Sequence, residues 1–153
     1  MAIDKVREYM KKYGRENDIM EFGVSSATVS EAAQAIGCDE ASIAKTLSFI
    51  VNNIPIVIVV AGDKKIDNRK YKDYFHEKAK MVPYDKLAEI IGHEAGGVCP
   101  FGLNEGVLVY LDKSLKEHDI VYPACGSHNS AIKLSIDELE NITNFEDWID
   151  VSK

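Results

Sequence analysis

Residues 46–60, TLSFIVNNIPIVIVV, decide the fold. Thr46 to Val51 and Ile56 to Val60 are two runs rich in β-branched and aromatic residues. Asn52 and Asn53 separate them, and asparagine tolerates the left-handed backbone of a tight turn, so the stretch reads as a β-hairpin. Pro55 lacks an N–H to give to a ladder and belongs at the start or edge of the second strand. A hairpin at the centre of the chain rules out an all-parallel sheet.

Upstream, Ile3, Val6, Met10 and Tyr13 fall at helical spacing, with Gly14 as a C-cap. Thr28 and Glu31 form a capping box ahead of the apolar stripe Val29, Ala32, Ala33 and Ile36, which ends at Gly37. Asp39 heads a short third helix through Ala44, placing Lys45 where that helix meets the hairpin. Downstream, Leu87, Ile90 and Ile91 mark a helix that stops at Gly92. Val107 to Leu111, Ile120 to Tyr122 and Ala131 to Leu134 read as strands. Ser135 and Glu138 form a second capping box, and the chain closes in helix anchored by Trp148. The pattern predicts an α/β (α+β) fold: a single domain over residues 1–153, with a mixed, mostly antiparallel, barrel-like sheet surrounded by helices.

The length of 153 residues suits one domain with a real core, and 46% hydrophobic with 28% charged residues is ordinary globular composition. Cys38, Cys99 and Cys125 are odd in number and far apart, which argues against a disulfide framework or zinc site and suits a reducing cytoplasm. The histidines show no HxH or HExxH spacing, so neither metal nor cofactor is expected. No secretory signal or membrane-length apolar run is present. A net charge of −7 speaks against strong nonspecific binding to nucleic acid, DNA included. The charge is uneven, however: residues 63–80 carry an excess of basic side chains, including Lys64, Lys65, Arg69, Lys70 and Lys72, whereas the residues after Ser135 are strongly acidic.

Gly96-Gly97-Val98-Cys99-Pro100-Phe101-Gly102 spends glycine and proline on backbone shape, as a main chain approaching a ligand would. A plain turn between helix and strand has the same composition. Lys45, among apolar neighbours, can hold a phosphate, a carboxylate or a developing oxyanion, or it can snorkel to water from a helix end. His128, in the turn Cys125-Gly126-Ser127-His128, can reach a cleft mouth or stand in solvent. Cys99 is either a nucleophile beside an oxyanion hole or a small apolar core residue. The GxSxG, GxGxxG and GxxxxGK[ST] patterns do not occur.

Ala44-Lys45-Thr46-Leu47, the GxxxP spacing of Gly96 and Pro100, Val109-Tyr110-Leu111-Asp112 and the Gly126 turn, in that order, resemble the YbaK/EbsC family of aminoacyl-tRNA editing domains, related to the editing domain of prolyl-tRNA synthetase. The resemblance runs from about Thr28 to Leu139. It implies a hydrolase of the ester joining a wrong amino acid to tRNA, such as Cys or Ala on the proline tRNA. It also implies Lys45 as the catalytic residue, with substrate bound by Thr46, the loop Gly96, Gly97, Val98, Cys99 and Pro100, and the Gly126–His128 turn. Lys64, Lys65, Arg69 and Lys70 form the candidate tRNA patch.

The expected partner is the acceptor end of a mischarged tRNA, with a synthetase as a second candidate; the expected state is a monomer or weak dimer, away from membrane. Two alternatives stand beside a trans-editing hydrolase. One is a non-catalytic nucleotide or amino-acid binding module on the same fold. The other is a hydrolase dependent on Cys99 or Cys125.

Overall fold

The computed structural model describes residues 2–153. In chain order the elements are α1 (Ala2–Lys11), β1 (Met20–Glu21), α2 (Val29–Ile36), β2 (Ile43–Val51), β3 (Ile54–Ala61) and α3 (Asn68–Phe75). There follow α4 (Leu87–Ile90), β4 (Leu108–Asp112), β5 (Ile120–Pro123), β6 (Ser130–Ala131), β7 (Leu134–Ser135), α5 (Ile136–Ile142) and β8 (Phe145–Ile149). Among the described residues, no helix is long and apolar enough to cross a membrane.

The hairpin forms as the sequence predicts. β2 and β3 pair antiparallel from Ala44 opposite Ala61 to Val51 opposite Ile54, and Asn52 and Asn53 turn the chain at φ 52° and 66°. Pro55 is the second residue of β3. Around this hairpin the sheet runs β7-β5-β2-β3-β4-β8, with β5, β4 and β8 parallel to their inner neighbours and β7 antiparallel to β5. The sheet is mixed, with more parallel pairing than the sequence suggests. β1 and β6 form a separate two-stranded ladder.

β3 is covered on both faces, which is why Ile56 to Ala61 read as one continuous apolar run. Alternation sends Val57 and Val59 to a core with Ile91, Phe101, Leu111 and Leu115, and sends Ile56, Ile58 and Val60 to a second core with Phe49, Tyr71 and Val151. A third, small cluster seats Ala32 and Ala33 of α2 on Ile43. Both predicted capping boxes are present, Thr28 with Glu31 and Ser135 with Glu138.

Four local expectations are corrected. After Asp39 there is one 3-10 turn, Glu40–Ser42, because Ile43 and Ala44 are already claimed by the ladders to β3 and β5. Lys45 is therefore the third residue of a strand and not a helix end. Residues 131–134 split into β6 and β7, since Ile132 turns its N–H to the carbonyl of Pro123 and buries its side chain. The chain closes in β8 and not in helix: Phe145 to Ile149 extends the sheet along β4, and Trp148 donates from Nε1 to Glu140 Oε2 at 2.7 Å beneath the Lys116 ammonium. α1 stops at Lys11, leaving Tyr13 exposed.

Candidate active site

β2 builds the site through its outer edge. Ser48 O accepts from Val82 N at 3.0 Å, and Ile50 N donates to Lys80 O at 2.9 Å. Residues 80–82 thus close the far end of that edge, while β5 closes the near end at Ile43 and Ala44. Backbone groups alternate sides along a strand, so Thr46, like Ser48 and Ile50, aims its N–H and C=O away from β3. Among the described residues neither bordering segment pairs with it, and a gap opens in the ladder there.

A cavity of about 410 Å³ occupies this gap and wraps around the strand edge. On the side of Ile43 and Lys45 it meets Val29 and Ala32 of α2. On the side of Thr46 and Ser48 it meets Val82, Leu87 and Val98. Lys45 Nζ donates to the carbonyls of Gly62, at 3.4 Å, and Lys64. Burial lowers its pKa from the ordinary lysine value, with the charge of Asp63 opposing that shift. Thr46 Oγ1 and Ser48 Oγ are both shielded from solvent and have no hydrogen-bond partner among the described residues.

Two loops complete the walls. Gly97 donates its N–H to Glu94 O and accepts at its own oxygen from Gly126 N, both at 3.0 Å. A Cβ on Gly97 would lie 2.6 Å from Gly126 C and Ser127 N, so only glycine allows the two loops to meet. The 126–130 turn in turn carries the segment before α2: His128 O accepts from Ser26 N at 2.6 Å, and Asn129 O from Phe22 N at 2.8 Å. Ser26, Ala27 and Thr28 thereby reach the cavity.

Of the residues singled out from sequence, Lys45, Thr46, Gly96 and Val98 line this cavity together. Gly97 and Gly126 lie behind them as the joint between loops. Pro100 is buried in the same loop. Cys99 is fully buried with its Sγ 3.5 Å from His93 Nε2, and burial pushes its thiol up to about 12, which removes the thiolate a nucleophile needs. Burial also raises the Cys125 thiol well above its ordinary value. The His128 side chain is exposed outside the lining, and its backbone is what holds Ser26.

In the basic segment, Lys65 and Arg69 are exposed and Lys64 is half-buried. Lys70 is committed to Asp150, at 3.2 Å, and the carbonyl of Ser152, at 2.9 Å. Sequence inspection misses Ser48, whose hydroxyl looks like any strand serine until the ladder gap is seen. It also misses Tyr84, 81% exposed at the cavity mouth beside Met81; an aromatic three residues before the start of α4 is the only signal it leaves.

The chain is similar to several known proteins. Uncharacterized protein YwhH of Bacillus subtilis (strain 168) is 48% identical over 154 residues, covering 100% of this chain and 98% of that protein. The proline–tRNA ligase of Streptococcus sanguinis (strain SK36) is 25% identical over 109 residues. That match takes in 71% of this chain and 17% of the ligase, so the chain spans about a sixth of the ligase's length. Among solved structures, a proposed trans-editing enzyme for prolyl tRNA synthetase superposes with a TM-score of 0.88 at 25% identity, covering 99% of this chain and 97% of that one. Hypothetical protein APE2540 superposes with a TM-score of 0.85 at 28% identity, over 97% and 99% of the two chains. The sequence profile of the aminoacyl-tRNA editing domain matches residues 24–142, a span that holds β2, both loops and every wall of the cavity, and the chain belongs to that family.

Proposed function

We propose that this protein is a freestanding aminoacyl-tRNA deacylase that removes a small amino acid, such as Cys or Ala, from a mischarged tRNA, with the proline tRNA as its acceptor. The observation that carries this reading is the meeting of the Lys45 ammonium with the open edge of β2 and the Gly96 loop around one small, mostly apolar cavity. Family membership and the likeness to the proposed trans-editing enzyme support it.

In the reaction, a water oxygen attacks the ester carbonyl carbon, the bond from that carbon to the ribose oxygen breaks, and the leaving oxygen takes a proton. Free amino acid and tRNA result. An ester is already reactive, so positioning and stabilisation of the carbonyl oxygen's developing charge are the main requirements. Lys45 has three N–H donors, two of them directed at Gly62 and Lys64, and the third serves the carbonyl oxygen. The Thr46 N–H and the Gly96–Val98 backbone orient the aminoacyl end. The ribose hydroxyl next to the ester activates the water, which accounts for catalysis without a protein nucleophile. Tyr84 at the mouth offers a face for the terminal base, and Lys64, Lys65 and Arg69 flank the acceptor strand, with Lys70 contributing through its position on α3.

The test is a panel of tRNAs charged with Ala, Cys, Ser, Thr and Pro. Release of a small noncognate amino acid, lost in Lys45→Ala, supports the reading. Saturable binding without release by the wild-type protein would instead identify a binding module.

A further inference from the structure

Lys45 donates from Nζ to two main-chain oxygens, those of Gly62 and Lys64, and both belong to the turn that follows β3. A main-chain carbonyl is fixed by its peptide plane, so whatever holds the backbone of that turn decides where the ammonium points. Within the turn, Lys64 N donates to Ala61 O at 3.0 Å. Its entry is held at Ala61, whose N–H donates to Ser114 Oγ at 3.0 Å. Its exit is held by residues 151–153: Lys65 and Lys153 exchange N–H···O bonds at 3.1 and 2.9 Å, and Asp67 N donates to Val151 O at 2.8 Å. Both holds lead to one carboxylate. Asp112 Oδ2 accepts from Ser114 N at 3.0 Å and from Ser152 Oγ at 2.7 Å, while Oδ1 accepts from Val151 N at 2.9 Å. Asp112, Ser114 and Ser152 are all buried, where such a network is stiff and a lost partner is costly.

We infer that Asp112 is a positioning residue for Lys45: it fixes the entry and the exit of the 62–64 turn, and the turn's two carbonyls set the direction of the ammonium. The carboxylate lies outside the cavity lining and acts through the backbone. An anchor for residues 151–153 alone would have no use for Ser114, which carries the hold to the opposite end of the turn. The consequence for rate rests on the deacylase reading, whereas the hold on the ammonium is measured with no substrate present. A reaction served by one donor is sensitive to that donor's aim, and misplacement by about 1 Å costs about 100-fold.

The experiment follows the whole protein, labelled with 15N-lysine, by NMR and reads how fast the Lys45 ammonium protons exchange with water. Single-turnover deacylation of charged tRNA is measured beside it. Asp112→Asn removes the shared carboxylate; Ser114→Ala and Ser152→Ala each remove one arm and decide the matter if Asp112→Asn does not fold. Ammonium exchange is expected to be several-fold faster in each variant. Deacylation is expected to be slower by about tenfold or more, with the tRNA concentration for half-maximal rate unchanged, as misaim of a catalytic donor predicts. Thr143→Ala is the control, since its buried hydroxyl bonds the Leu139 carbonyl of α5 at 2.7 Å, so it is expected to lower stability and to move neither readout. Exchange at the wild-type rate in the folded variants, equally faster exchange in Thr143→Ala, or faster exchange with wild-type deacylation overturns the inference. No release from tRNA by the wild type, together with faster exchange in the variants, defeats the deacylase reading and leaves the hold of Asp112 on Lys45 standing.

Discussion

Gly126 donates its backbone N–H to the carbonyl of Gly97 at 3.0 Å, and neither residue has room for a side chain: a Cβ on Gly97 would strike Gly126 itself, and one on Gly126 would strike α1. A Cβ on Gly126 would meet the Ala2 carbonyl oxygen at 2.9 Å, at a φ of 92° that L side chains rarely adopt. This joint locks the loop bearing Gly96 and Val98 to the turn that holds Ser26. It thereby fixes two cavity walls relative to each other.

Gly97→Ala forces backbone against backbone, and overpacking of this kind costs about 1–3 kcal/mol. Denaturant unfolding is expected to show that loss of stability. Deacylation is expected to fall further than stability does, because the walls separate before the chain unfolds. Wild-type activity in Gly97→Ala would show that the joint does not shape the site.

Cys99 separates a thiol-dependent reaction from the one proposed. Its side chain is fully buried beside His93, with the thiol held protonated at neutral pH. Cys99→Ala is expected to retain deacylation and to lose about 1 kcal/mol of stability through the small void left behind. Treatment of the folded protein with iodoacetamide is expected to leave activity in place.

Asp112 secures the far end of the fold. It is fully buried, and its carboxylate accepts from Ser114 N at 3.0 Å, Val151 N at 2.9 Å and Ser152 Oγ at 2.7 Å. Asp112→Ala leaves these donors unpaired and is expected to destabilise by about 3 kcal/mol, seen as a lower urea midpoint. Val151 and Lys153, which pair with Asp67 and Lys65, are expected to lose hydrogen-exchange protection first.

The burial of Lys45 has a signature in pH. Its folded pKa lies below the ordinary 10.5 because burial disfavours the charged form, so between the lowered value and 10.5 the unfolded chain binds more protons than the folded one. Its contribution to stability therefore rises with pH across that window and is flat below it. Titration of the Lys45 side chain by NMR is expected to give a midpoint under 10.5, and Lys45→Gln to abolish its part of the rise. A midpoint at or above 10.5 would contradict the dominance of burial over the charge of Asp63.

What could be read from sequence divides along physical lines. Local chemistry was legible: the Asn52–Asn53 turn, the two capping boxes and the apolar run of β3 depend on neighbours in the chain. α3 was less so, although Asp67 caps it by accepting from Arg69 N and Lys70 N, because only Tyr71 of its eight residues is buried and the segment shows as a basic run. β8 was hidden for a different reason: a parallel edge strand takes its order from β4, distant in sequence, and Trp148 suits helix or strand alike. At the site, Lys45 and the glycine loop stood out as unusual residue types. Ser48 did not, since its place on the cavity lining depends on β5 and residues 80–82 stopping short of each other along β2.

The central claim, that the cavity on the β2 edge hydrolyses aminoacyl esters through Lys45, is tested most directly by single-turnover deacylation of proline tRNA charged with small noncognate amino acids. The account predicts release by the wild type and a loss of roughly 100-fold or more in Lys45→Ala, the scale of removing one oxyanion donor, with unchanged circular dichroism. Equal rates in the two proteins, or no release above the spontaneous rate by wild type on any member of the panel, would contradict it.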